Sequence, residues 1–134
     1  MSQENVEIVE GCIHAWNRGD RDGWLAPTHP EAEWSAAIER QVEGGDRVYK
    51  GHAELRRFWD DWHALWNASV DVSEARDLGS YVLVYAMFRA KGKGSGVEVE
   101  RSIGYVFEFE DGLIRKASSY PSPEDALEAA GLSE

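Results

Sequence analysis

Two side chains with chemical capability, Arg101 and Tyr105, stand in a segment whose alternation predicts a β-strand over residues 97–110. Successive side chains of a strand point to opposite faces, so both share a face with Ile103 and Phe107. An arginine on so apolar a face needs a partner or a wet cavity. We therefore expect a pocket there, in which Arg101 holds an anionic or carbonyl group and Tyr105 donates a hydrogen bond to a developing enolate.

Aromatic residues are the second feature, because the chain has six tryptophans among its 134 residues. One interpretation is a core helix that lies on a sheet, since large aromatic side chains are commonly buried. The other is a cavity wall for a flat apolar ligand, to which indoles offer large and rigid contact area. On the second interpretation the predicted pocket residues are Cys12, Trp16, Trp34, Phe58, Trp59, Trp62, Phe107 and Tyr120.

The other polar candidates carry weaker signals. Glu33 is a candidate general base, but its neighbour Trp34 is expected to point inward, which turns Glu33 outward. His63 flanks the tryptophan-bearing helix face, where a structural role competes with a place at a cavity rim. Cys12 lies on a buried helical stripe and is predicted to fill core space. No histidine spacing matches a metal-ligand motif, so neither a metal nor another cofactor is expected.

The glycine run KGKGSG, residues 91–96, raises the question of a phosphate-binding loop. Such a loop needs a Lys-Ser or Lys-Thr pair after its last glycine and then a helix, whose N-terminus meets the phosphates. Here Lys93 precedes Gly94, and a strand pattern follows. The run therefore predicts a hairpin loop between two strands.

The elements that must position these residues follow from periodicity and turn signals. Helices are predicted over residues 3–18, over a short segment that begins at Asp20, and over HAELRRFWDDWHALW, residues 52–66. Short strands are predicted in AEWSA and RVYKG, with a loop between them that runs to about Asp46. Four longer strands, at about 70–78, 81–90, 97–110 and 113–120, precede a helix that begins at SPEDAL. Helices followed by an antiparallel meander indicate an α+β fold.

Composition and charge exclude several classes of partner. The formal net charge of −11 would repel nucleic-acid backbones and anionic membranes. A single cysteine allows no intrachain disulfide. No window approaches the ~18 uninterrupted apolar residues of a membrane-spanning helix, and the polar, acidic N-terminus is unlike a secretory signal. We expect one cytoplasmic domain over residues 1–134.

Several landmarks together resemble one family: AWNRGDRDGWLAP, then PEAEW, YKGHAELRRFWDDW, the hairpin GKGSG, VFEFEDGLI and YPSPEDALEAAGL. In this order they are similar to the SnoaL-like branch of the nuclear transport factor two superfamily. The resemblance implies a cone-shaped α+β barrel, in which a curved antiparallel sheet wraps around a pocket and N-terminal helices close it. It also implies a homodimer through the outer sheet face, where Tyr85 and Met87 offer apolar contact.

The resemblance does not carry over the known catalytic residues of the superfamily. The positions of the ketosteroid isomerase tyrosine, aspartate base and protonated aspartate correspond to Cys12, Ala36 and Tyr105 in this sequence. The Arg-x-Asp pair of limonene epoxide hydrolases corresponds to Arg101 and Ile103, which leaves no carboxylate on that strand face. Neither set of residues is retained.

Two functions stay open on the sequence. One is a cofactor-free cyclase, isomerase or lyase that acts on a cyclic or polyketide-like substrate. The other is a noncatalytic module that binds a small hydrophobic or aromatic ligand or mediates dimerisation. An ionisable group in the pocket with a shifted pKa would favour the enzyme, whereas walls of Trp, Tyr and Arg alone would favour binding.

Overall fold

The computed structural model describes residues 2–35 and 48–131. The predicted glycine-containing loop and Ala36 lie outside these residues. In chain order the elements are α1 (Ser2–Arg18), α2 (Arg21–Leu25), β1 (Thr28–Ser35), β2 (Tyr49–Lys50), α3 (Gly51–Leu65), β3 (Trp66–Asp77), β4 (Tyr81–Gly92), β5 (Glu98–Glu110), β6 (Leu113–Tyr120) and α4 (Pro123–Ala129). The predicted α+β class is confirmed, and element bounds differ from the predicted ones by a few residues.

The turn between α1 and α2 shows how local chemistry ends one helix and begins the next. Gly19 has φ 76°, a left-handed conformation that glycine adopts without steric cost. The Asp20 carboxylate then accepts a hydrogen bond from the Gly23 N–H at 2.9 Å and caps α2. This turn directs the chain from the long first helix toward the first strand.

The sheet has six strands in the order β2-β1-β6-β5-β4-β3 and is curved. Strands β3 to β6 form the predicted antiparallel meander. Strand β1 lies parallel to β6, with Trp34 opposite Ala117. The sequence pattern did not reveal this parallel pairing, because nothing local to either strand specifies a partner so distant along the chain.

The two faces of the sheet bury different sets of residues. Val82, Val84 and Phe88 on β4 belong to the main core, which the inner face shares with the first three helices. Leu83 points the other way and is buried beneath α4 with Val106 and Ala126. Successive side chains of β4 therefore point alternately toward the first three helices and toward α4.

Helix α4 lies very close to β5, and Gly104 makes that approach possible. A Cβ atom built at Gly104 would lie 2.6 Å from the Ala126 Cβ and 3.0 Å from the Ser122 carbonyl oxygen. Only a residue without a side chain allows this contact.

The glycine run forms the predicted hairpin between β4 and β5, and it also caps α3. The Lys93 backbone N–H donates to the Leu65 carbonyl at 2.9 Å, and its Nζ donates to the His63 carbonyl. These carbonyls belong to the last turn of α3, where no intrahelical partner is available. None of the helices in the described ranges is long and apolar enough to cross a membrane.

Candidate ligand-binding site

A cavity of about 100 Å³ lies between the helices and the inner face of the sheet. Its walls come from α1, α2, α3 and all the strands except the two-residue β2. Of the predicted pocket residues, six line it: Cys12, Trp16, Trp34, Phe58, Trp62 and Phe107. Tyr105 lines it as well. Further lining residues that the sequence did not single out include Trp24, Thr28, Val70, Phe88, Ala117 and Ser119.

Aromatic rings dominate both sides of the cavity. On the helix side, the Trp16 ring lies 5.9 Å from Phe58 and 5.7 Å from Trp24, as measured between ring centroids. On the sheet side, the rings of Trp34 and Tyr105 are nearly parallel, at 22° and 6.2 Å. Ala117 is paired with Trp34 on one side and Phe107 on the other, so a small residue separates two large ones. Such walls favour a flat apolar ligand.

Three hydrogen-bond donors on these walls have no partner among the residues that the structure describes. The indole N–H groups of Trp16 and Trp34 are buried and make no hydrogen bond there. The Tyr105 hydroxyl makes none to any residue of 2–35 or 48–131. A buried donor without a partner costs roughly 1–3 kcal/mol, so the fold retains the two indole groups at the expense of stability.

Both ionisable groups with shifted pKa values on the wall are kept neutral by burial. Desolvation raises the pKa of the Tyr105 hydroxyl well above its usual range. Desolvation also raises the pKa of the Cys12 thiol from 9.0 to about 12. Tyr105 is therefore a donor at neutral pH, and Cys12 is neither a base nor a nucleophile.

The other polar groups of the wall already have partners. The Cys12 thiol donates to the Trp24 carbonyl at 3.4 Å. The Thr28 hydroxyl donates to the Leu25 carbonyl at 2.6 Å and lies 3.0 Å from His52 Nε2. Ser119 is buried and also has a partner.

Glu33 contributes to the cavity wall, which the sequence did not predict. Its carboxylate Oε2 lies 3.9 Å from Nη1 of Arg115, and the Glu33 side chain is 32% exposed. Arg115 also approaches Glu110, with 3.3 Å between Nε and Oε1. The ion pair with Arg115 agrees with the expectation that the Glu33 carboxylate turns outward. Other atoms of Glu33 nevertheless form part of the cavity wall.

Three predicted site residues are not brought to the cavity. Arg101 is exposed, because β6 pairs with β5 only from Gly104 onward and leaves the beginning of β5 beyond the cavity. Trp59 packs between helices, with its ring 5.1 Å from those of Trp16 and Trp24. Tyr120 packs against the cluster beneath α4, because its neighbour Ser119 points inward and strand alternation turns Tyr120 outward.

Of the two roles that the sequence left open for His63, its contacts favour the structural one. Its ring stacks on Trp59 at 3.9 Å and 16°, and its Nδ1 lies 3.0 Å from the Trp59 carbonyl oxygen. Its Nε2 is buried without a hydrogen-bond partner, and His63 is not among the residues that line the cavity.

One group of potential metal ligands lies elsewhere, where His29, Glu110 and Asp111 bring ligand atoms within 4.8 Å of one another. His29 Nδ1 accepts a hydrogen bond from the Glu31 N–H at 3.0 Å. Glu110 forms an ion pair with Arg115. This arrangement is accounted for by hydrogen bonds and ion pairs.

The model of the SnoaL-like domain family matches residues 9–117, which is most of the chain. The protein belongs to the SnoaL-like family. This confirms the resemblance drawn from the sequence landmarks. No curated protein sequence matches this SnoaL-like chain.

Solved structures agree with this fold at low sequence identity. An NTF2-like protein from Burkholderia pseudomallei has a TM-score of 0.78 at 19% identity, covering 93% of this chain and 95% of its own. A candidate SnoaL-like polyketide cyclase from Jannaschia has a TM-score of 0.76 at 19% identity, with 89% and 85% covered. A candidate polyketide cyclase from Xanthomonas campestris has a TM-score of 0.74 at 21% identity, with 89% and 90% covered. At these identities the likeness shows the fold alone.

Proposed function

We propose that this SnoaL-like protein binds a small, planar and largely apolar molecule in the cavity between its helices and the inner sheet face. The observation that carries the proposal is the cavity itself, whose walls are aromatic on both sides. An engineered apolar cavity of ~150 Å³ in another protein holds benzene. The volume of about 100 Å³ here is smaller than that, so a single substituted ring would require the walls to move slightly, and a polycyclic ligand would require a larger movement.

Binding without chemistry is the function that the wall supports best. Cys12 and Tyr105 are neutral at physiological pH, so neither takes up a proton there. The Glu33 carboxylate is already paired with Arg115. A cofactor-free cyclase, isomerase or lyase needs a general base within reach of the substrate.

A second candidate function rests on Glu33, because this carboxylate-bearing residue lies on the same cavity wall as Tyr105. In that reaction Glu33 would take a proton from a carbon next to a ligand carbonyl. Tyr105 would donate a hydrogen bond to the resulting enolate oxygen, and the proton would return to a carbon of the product. The two solved structures named as candidate polyketide cyclases make this class worth testing.

The binding experiment is a titration of ¹⁵N-labelled protein with ethylbenzene and with acetophenone, followed by two-dimensional NMR. We expect saturable shifts for residues of the cavity wall. Ala117→Leu places a larger side chain between Trp34 and Phe107 and should abolish them. Lys116→Leu is the matched control, because Lys116 is exposed on the same strand. Shifts that persist unchanged in a folded Ala117→Leu variant would refute the site, and no saturable shift with either probe would refute binding.

The catalytic alternative is tested by the exchange of the acetophenone methyl protons in D₂O. A proton-transfer enzyme accelerates this exchange, and Glu33→Gln would remove the acceleration while leaving ligand binding in place. Exchange at the uncatalysed rate in the wild-type protein, together with saturable binding, supports the noncatalytic function.

A further inference from the structure

We propose that the ligand of this cavity is an uncharged ring that carries a hydrogen-bond acceptor, such as an aryl ketone or aldehyde, and that the Tyr105 hydroxyl and the Trp16 and Trp34 indole N–H groups select it. This inference rests on the proposed binding function. It goes further because it names the three side chains that would donate hydrogen bonds to the ligand.

The donors are the polar groups of the wall that the described fold leaves unused. Trp16 and Trp34 have buried N–H groups without partners, and an indole nitrogen can donate but cannot accept. Tyr105 is 8% exposed, and its hydroxyl has no partner in the described ranges. Their residues belong to the cavity wall on three different elements, α1, β1 and β5. Both indole nitrogens are covered in the ligand-free cavity, so a ligand would reach them as the walls adjust to it.

The remaining polar side chains of the wall already have partners, and Arg115 stands against the Glu33 carboxylate. Thr28 donates to Leu25 and lies against His52. The Cys12 thiol faces the Trp24 carbonyl, and Ser119 has its own partner. A ligand that only donates hydrogen bonds could use the Tyr105 oxygen, but it would leave both indole N–H groups without partners. A carbonyl oxygen, which only accepts, matches the free groups.

Charge narrows the ligand class further. Among the lining residues that the structure describes, Glu33 is the one charged side chain, and Arg115 stands against its carboxylate. Arg101, the cation that the sequence placed in the pocket, is exposed and outside the wall. A carboxylate ligand would lose its hydration without gaining a cation. An ammonium ligand would gain from the aromatic ring faces and from Glu33, but it would lose its hydration and, because it only donates, would leave the indole N–H groups without an acceptor. An uncharged acceptor avoids both costs.

The test compares four single-ring probes of similar size: ethylbenzene, acetophenone, benzoate and benzylammonium. For the wild-type protein we expect acetophenone to bind about five- to tenfold more tightly than ethylbenzene, as one net hydrogen bond predicts. Benzoate and benzylammonium should bind more weakly than either. In Tyr105→Phe, which removes only the hydroxyl, the preference for acetophenone should fall to about twofold or less while the affinity for ethylbenzene stays unchanged. Tyr85→Phe is the control, because Tyr85 packs against the cluster beneath α4.

The same titrations report on the indoles directly. Each tryptophan gives one indole N–H signal, and Trp16→Phe and Trp34→Phe identify two of them. We expect acetophenone, and not ethylbenzene, to move these two signals downfield.

Several outcomes would overturn the assignment. Equal affinity for acetophenone and ethylbenzene would show that the donors play no part in recognition. Tightest binding of benzoate or benzylammonium would replace the uncharged acceptor with a charged ligand class. A ketone preference that survives in Tyr105→Phe, with both indole signals unmoved, would place the polar contact elsewhere. Failure of all four probes to bind would remove the proposed binding function, and this inference with it.

Discussion

Cys12 lies on the cavity wall of α1, with its thiol directed at the Trp24 carbonyl. The sequence predicted that Cys12 fills core space. Its burial agrees with this, because desolvation disfavours the thiolate and raises the pKa of the thiol from 9.0 to about 12. The thiol stays protonated at physiological pH, and its contribution is to packing and to one weak hydrogen bond.

The raised pKa of Cys12 predicts a loss of stability at alkaline pH. Between pH 9 and about 12 the unfolded thiol ionises while the folded one keeps its proton. The free energy of unfolding should therefore fall as pH rises through this window, by up to ~1.4 kcal/mol per pH unit. Chemical denaturation of wild type and Cys12→Ala at pH 8, 9.5 and 10.5 measures it. Other groups titrate in both proteins, so the quantity to follow is the free energy of unfolding of the wild type minus that of Cys12→Ala. This difference should fall steadily as pH rises. A difference that stays constant with pH would contradict the prediction.

At the scale of elements, Asn17 explains why α1 lies where it does. Its Nδ2 donates to the Val70 carbonyl at 2.9 Å, and its Oδ1 accepts from the Val70 N–H at 2.8 Å. Val70 belongs to β3, an edge strand of the sheet, whose outer backbone groups have no strand partner in residues 2–35 and 48–131. The side-chain amide therefore takes the place of a neighbouring strand for one residue and fixes the helix to the sheet.

Replacing Asn17 should loosen this attachment. Asn17→Ala removes two hydrogen bonds worth roughly 0.5–1.5 kcal/mol each. The better helix propensity of alanine offsets at most ~0.7 kcal/mol. We expect a net loss of about 1 kcal/mol in the free energy of unfolding, measured by urea denaturation.

The control for this change is Asn67→Ala, an exposed asparagine on the same edge strand, which should leave stability nearly unchanged. Amide hydrogen exchange adds a local readout, since the Val70 N–H should exchange faster in Asn17→Ala only. Equal stabilities of the two variants would show that the contact with Val70 contributes nothing.

At the scale of the whole molecule, the outer sheet face is divided between two surfaces. Helix α4 covers part of it above Leu83 and Val106. Next to this lies a polar surface where Arg89 donates to both Asp71 and Glu100, across β3, β4 and β5. Tyr85 and Met87, the residues expected to mediate dimerisation, are half-buried beside these surfaces. The homodimer through this face stays a prediction.

The dimer prediction has a simple test. We expect sedimentation velocity to show a dimer whose fraction rises with protein concentration. Met87→Lys introduces an unpaired charge into the expected interface and should shift the protein toward monomer. Ala53→Lys adds the same charge at an exposed position of α3 and should leave the dimer fraction unchanged. A monomer at every concentration would refute dimerisation, and a dimer indifferent to Met87→Lys would place the interface elsewhere.

The sequence by itself determined the elements and the family, because both depend on local signals. Helical stripes, the cap at Asp20, the hairpin glycines and the alternation of β4 to β6 are each readable over a few residues. These signals also predicted which face of β5 is turned inward, and Tyr105 and Phe107 on that face line the cavity.

Only the tertiary structure decided which residues meet. Arg101 has the right alternation for the cavity, yet it is exposed because β6 ends its pairing at Gly104. Trp59 and Phe58 are adjacent aromatic residues of α3, and sequence alone does not distinguish them. The Trp59 ring packs against Trp16 of α1 and Trp24 of α2 and does not line the cavity. Glu33 reaches the wall through a parallel pairing of β1 with β6 that no local pattern encodes. The physical reason is the same in each case: periodicity fixes the face on which a side chain lies, whereas strand length, pairing partner and helix packing fix what stands opposite it.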